Sequence, residues 1–126
     1  MVTVNTIAIT AAINAAVAIM AGAFGAHALR DRLTPALLRA FDTGAQYHFY
    51  HALGLFAVAF ALTRLPESVW VSRAFFLMLA GIVLFSGSLY ALALSGRTVL
   101  GAVTPFGGVA FIAAWLCLAW GFMIAR

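Results

Sequence analysis

GAQYHFYHALGLFAVAFALT, residues 44 to 63, is the stretch on which the fold turns. Its twenty residues hold no Asp, Glu, Lys or Arg. A helix of that length is about 30 Å long at about 1.5 Å per residue, which matches the hydrocarbon thickness of a bilayer. Read as a membrane crossing, it makes this a four-span protein. The charged residues divide the rest of the chain into three more such stretches, Thr6 to Ala26, Arg73 to Leu94 and Gly101 to Ile124.

Composition agrees with that reading. Of 126 residues, 66% are hydrophobic and 8% charged, and the mean hydropathy is +1.11. Soluble domains are about half apolar and about a quarter charged, so a soluble fold could not hide this surface. Residues 1–126 are expected to form one four-span transmembrane domain with a thin core, because lipid solvates the helix exteriors. Met1 to Thr6 carries no positive side chain, and the apolar stretch after it is about twice a signal-peptide core. It therefore reads as a retained first helix; a cleaved signal would leave three spans.

The formal charge of +4 comes from scattered arginines, with no lysine and no basic run, which disfavours nucleic acid as a partner. Arginines beside hydrophobic segments anchor helix ends instead. Arg64, Arg73 and Arg126 fall on the side of the termini, and Arg30, Arg32, Arg39 and Arg97 on the other. The arginines of the first hairpin tilt the orientation toward termini outside. Cys117 is the single cysteine, so no intrachain disulfide forms, and it reads as a small hydrophobe.

The connectors set the topology. Leu65, Pro66 and Glu67 make one tight turn, with Glu67 near the start of the third helix, and Ser95, Gly96 and Arg97 make another. In the long connector, Leu29 to Thr43, Thr34 and Pro35 read as N-cap and first helical position, and Leu37, Leu38 and Phe41 share a face. A short interfacial helix between the first two spans is expected there. The result is an all-α membrane protein, an up-down-up-down bundle of four transmembrane helices with both termini on one side. On the first span, Ala11, Ala15, Ala18, Gly22 and Gly25 repeat at steps of four and three and form its packing face. Asn14 lies beside that stripe, placed to clamp a neighbouring helix.

Antiparallel helices carry the polar clusters to one membrane face. The first span ends in His27. The second begins with Gln46, Tyr47, His48, Tyr50 and His51. The third reaches that face through Ser86, Ser88 and Tyr90, and the fourth leaves it through Thr104 and Pro105. Polar groups at membrane depth mark sites or pathways. Candidate ligand-binding residues are therefore His27, His48, His51, Asp42, Tyr47, Ser86, Ser88, Tyr90 and Thr104. His48 and His51 are spaced i, i+3, and with His27 they could ligate a transition metal or a haem, Asp42 or Asp31 assisting. The same histidines could instead be hydrogen-bond donors at helix ends or carry a proton. Tyr47, Tyr50 and Trp70 suit the headgroup belt, and Tyr90, if buried, needs a hydroxyl partner.

No nucleophile with a base and an orienting acid can be assembled, and no phosphate loop, CxxC or HExxH occurs, which disfavours an enzyme. No pair of interrupted helices points to a transporter site. The expected function is a non-enzymatic accessory or assembly partner of a larger membrane complex, through a protein partner or a second copy. The alternatives are a metal, haem or small-ligand site and a proton or solute conduit. The cofactor is left open.

GAFGAHAL at 22 to 29, YHFYHALGL at 47 to 55, FSGSLYALAL at 85 to 94 and LGAVTPFGGVAF at 100 to 111 resemble, in order, the membrane-protein family of unknown function 423. That family takes in YgdD-like bacterial proteins and transmembrane protein 256-like eukaryotic ones. The resemblance implies a multi-span protein of the bacterial inner membrane and brings no activity, substrate or cofactor with it.

Overall fold

The computed structural model describes residues 2–125, and every regular element among them is a helix. Helix α1, Val4–Phe24, starts where the Thr3 hydroxyl accepts from the Thr6 amide at 3.1 Å, and a π turn, Gly25–Leu29, prolongs it. Helix α2, Pro35–Arg64, is capped by Thr34, whose Oγ1 accepts from the Leu37 amide at 3.3 Å, with Pro35 in the first turn. Helix α3, Val69–Gly81, passes through a second π turn, Ile82–Ser86, into α4, Gly87–Ser95. That rod ends at Gly96, which takes the left-handed conformation (φ 70°) that side chains disfavour, its amide donating to the Leu92 carbonyl. A 3₁₀ turn, Thr98–Ala102, leads into α5, Thr104–Ile124.

Three rods are long and apolar enough to cross a membrane: Val4–Leu29, Val69–Ser95 and Thr98–Ile124. Helix α2 is longer than α1 alone, at 30 residues, but Arg39, Asp42, Gln46, His48, His51 and Arg64 make it too polar to qualify by composition. The separate interfacial helix expected between the first two spans does not exist. Residues from Pro35 onward run without interruption into α2, and the connector shrinks to 30–34. Gly44 does not break the helix because it is clamped: a Cβ there would lie 3.1 Å from the Tyr90 ring and 3.3 Å from the Ser86 carbonyl. The third rod starts at Val69 and not Arg73, which leaves Glu67 in the turn before it.

Neighbouring rods run antiparallel. Gly44 backs onto Tyr90 and Gly54 onto Met78, and Gly81 backs onto Phe111 and Gly107 onto Phe85, so position numbers rise along one rod as they fall along the next. The buried faces follow steps of four and three, the spacing that keeps side chains on one side of a helix. On α2 one buried row is Phe41, Ala45, His48, Ala52, Leu55, Ala59 and Leu62 and a second is Gly44, His48, His51, Leu55, Val58 and Leu62, and on α5 the row is Gly107, Phe111, Ala114, Leu118 and Gly121. On α1, Ala11, Ala18 and Gly25 are buried and Ala15 and Gly22 half-buried, so the small-residue stripe is its packing face. The main core gathers Ile7, Leu55, Val58, Val71 and Met78, and a smaller one joins Leu29, Phe41 and Ala93 near the 30–34 connector. Helix α2, the most polar rod, is also the most enclosed.

Candidate functional site

His48 and His51 sit one turn apart on α2, and both are buried. They face different neighbours. His48 Nε2 lies 3.0 Å from Asn14 Oδ1 on α1, and its Nδ1 lies 3.0 Å from the Tyr90 hydroxyl on α4. The Asn14 amide nitrogen donates to the Thr10 carbonyl at 2.8 Å, which leaves its oxygen to accept from His48. Hence Nε2 carries the proton, Nδ1 accepts, and the Tyr90 hydroxyl donates to it. One directed chain, Tyr90 to His48 to Asn14 to Thr10, ties three helices together.

His51 is fixed as closely. Its Nδ1 lies 2.7 Å from the Tyr47 carbonyl, which can only accept, and the Trp115 indole N–H, which can only donate, reaches Nε2 at 3.2 Å. The neutral Nδ1-protonated tautomer satisfies both bonds. The imidazole also stacks on Phe111 with centroids 3.4 Å apart and planes 9° apart. Phe111 also packs tightly on Gly81, where a Cβ would come within 2.3 Å of the ring.

The remaining candidates separate into five places. Ser88 Oγ donates to the Phe85 carbonyl at 3.0 Å and meets Thr104 Oγ1 at 2.7 Å, so the threonine donates to the serine and joins α4 to the start of α5. Ser86, in the π turn, is fully buried and its hydroxyl has no partner among the described residues. Tyr47 contributes its carbonyl to His51, while its ring is partly exposed and packs against Phe85. Asp42 is exposed and lines, with Gln46, Tyr50, Ala18 and Gly22, a groove of about 340 Å³ between α1 and α2. His27 is exposed at the end of α1.

The three histidines are not gathered around one point. Among the described residues no group of three or more His, Cys, Asp or Glu side chains is placed to hold a metal ion. The reason lies in the donors: both nitrogens of His48 and of His51 are already engaged, by groups on four different helices. Asn14 is the interhelical clamp expected of it, and Tyr90 has the partner it needed. Phe111 and Trp115 were missed. A tryptophan in mid-span lies away from the headgroup belt and needs a partner for its N–H, and that was the available signal.

The family model described as a protein of unknown function (DUF423) matches residues 21–108. The UPF0382 membrane protein YwdK of Bacillus subtilis strain 168 is 53% identical over 110 residues, 87% of this chain and 89% of its own. A UPF0382 membrane protein of Staphylococcus epidermidis is 46% identical over 110 residues, 87% of this chain and 88% of its own. The UPF0382 inner membrane protein YgdD of Escherichia coli K12 is 40% identical over 107 residues, 85% of this chain and 81% of its own. No solved structure matches.

Proposed function

From the premise that this chain belongs to the membrane-protein family of unknown function 423, we propose that it is a non-enzymatic four-span bundle that serves as an assembly partner of a larger membrane complex. One observation carries this reading: every nitrogen of the two buried imidazoles is engaged within the protein, three of the four by groups on neighbouring helices, so the conspicuous polar groups hold the bundle together and offer nothing to a substrate. The surface left for function is the apolar exterior, including Ile9, Ile13 and Met20 on α1 and Phe106, Val109 and Ile112 on α5.

The fourth crossing is argued from packing. Helix α2 spans about 45 Å at about 1.5 Å per residue, ample for a bilayer, and lies antiparallel between α1 and the α3–α4 rod. In lipid only the exterior of a bundle must be apolar, and polar side chains belong on the helix its neighbours shield. The supporting experiment is affinity purification of the full chain in a mild detergent. A stoichiometric membrane protein should accompany it, and a monodisperse monomer alone would count against the reading.

A ligand-binding reading rests on the groove between α1 and α2, where Asp42, Gln46 and Tyr50 line one wall. A cationic or amine ligand would suit that carboxylate. A thermal-shift screen should then find a compound that stabilises the parent protein and not Asp42→Asn; no such difference would remove the reading.

A further inference from the structure

On the far flank from the histidines, Ala113, Leu116, Cys117, Trp120 and Met123 line one edge of α5, and Trp70 of α3 closes a groove of about 490 Å³ against them. Its walls are almost wholly apolar. From Ala113 to Met123 the groove runs about 15 Å along the helix at about 1.5 Å per residue, half the hydrocarbon thickness of a bilayer and therefore one leaflet deep. Its outer end is marked. Trp70 and Trp120 meet edge to face there with centroids 6.4 Å apart, and the Arg73 guanidinium lies over the Trp70 ring, 4.6 Å from its centroid. Gly121 is level with Ser68 and Trp70, which puts this end beside the 65–68 turn.

These features fit one occupant. Tryptophans take the headgroup level, and an arginine one turn deeper on α3 reaches back toward the interface over the Trp70 ring. A guanidinium held on an aromatic face still offers in-plane N–H donors, and their preferred partner is a phosphate oxygen. Below it, a slot one leaflet deep with almost wholly apolar walls suits a hydrocarbon chain and disfavours anything that needs hydrogen bonds. We propose that this flank is a built site for a single glycerophospholipid, with an acyl chain in the groove and the phosphodiester on Arg73.

The test uses the full chain, purified from membranes in a mild detergent and examined by native mass spectrometry. One phospholipid should remain per protein chain. Ala119→Phe, which fills the groove from an exposed position, should lower retention about tenfold. Arg73→Gln should lower retention of phospholipid about tenfold while diacylglycerol stays unchanged, as expected for loss of a charge-assisted contact. A second measurement needs no substitution: adding phosphatidylethanolamine and phosphatidylglycerol back to delipidated protein should slow alkylation of Cys117, and diacylglycerol should do so less. Unaltered retention in both variants, equal protection by diacylglycerol, or a protein helix crosslinked into the groove would overturn the proposal.

Discussion

At the scale of residues, the two histidines show why a buried polar side chain need not be a site. An imidazole has two nitrogens, and hydrocarbon supplies partners for neither, so both must be satisfied within the protein. His51 does this with a carbonyl on its own helix and an indole on α5, and His48 with groups on α1 and α4. Spacing revealed that His48 and His51 share a helical face. It could not reveal their partners, because Asn14, Tyr90 and Trp115 lie 34, 42 and 64 positions away in sequence from the histidines they bind. The cluster was legible as polar and illegible as a clamp. Each interhelical bond in a membrane is worth about 0.6 kcal/mol on average and up to about 1.7. Leaving a buried acceptor unpaired costs more, about 1–3 kcal/mol. Tyr90→Phe and Asn14→Ala should therefore each destabilise the protein by about 1–2 kcal/mol in detergent unfolding. Together they should depart from the sum by at least about 0.5 kcal/mol, since both act through His48. Strict additivity would mean that the chain is two unrelated bonds.

At the scale of elements, glycine decides how closely the rods approach, and the chain's glycines are far from equivalent. At Gly107 a Cβ would sit 2.3 Å from the Phe85 backbone nitrogen, which cannot give way. At Gly81 it would sit 2.3 Å from Phe111, a ring already stacked against His51. At Gly22 a Cβ would meet no neighbouring atom within 4 Å among the described residues. Thus Gly107→Ala and Gly81→Ala should each cost about 1–3 kcal/mol or more through overpacking. Gly22→Ala should be neutral or stabilise by up to about 1 kcal/mol, because alanine is the better helix former. A thermal melt of the three variants checks the order, and an unstable Gly22→Ala would contradict it. The sequence marked Gly22 as part of a packing stripe and could not tell it from Gly25, which is buried against Phe41. Nor did it signal the π turn at Ile82–Ser86. That turn holds one more residue than an α turn, with the Gly87 amide reaching the Ile82 carbonyl, and it shifts all that follows by about 100°. Ser86, Ser88 and Tyr90 were legible as polar, but the rotation that sends Ser88 to Thr104 and Tyr90 to His48 depends on tertiary packing.

At the scale of the whole molecule, hydropathy and enclosure run in opposite directions. Composition identifies α1, the α3–α4 rod and α5 as membrane-length apolar helices because lipid is their solvent. It passes over α2 because that helix is solvated by the other three, with twelve buried residues from Phe41 to Leu62. The antiparallel order was legible from Pro66, Gly96 and the short turns; the fusion of the supposed interfacial helix with α2 was not, since nothing between Pro35 and Gly44 signals either continuation or arrest. Whether α2 crosses the bilayer has a decisive test in topology. Arg32, Glu67 and Arg97 lie in three successive connections and are exposed. Single cysteines at these positions, in a Cys117→Ser background, can be labelled with an impermeant maleimide in sealed vesicles. Four crossings place residues 32 and 97 on one side and residue 67 on the other. A helix α2 lying along the surface would instead leave 32 and 67 together, with 97 across the membrane from both. The shielding of His48 and His51 from lipid requires the first pattern, so the second would remove the fourth span and the bundle built around it.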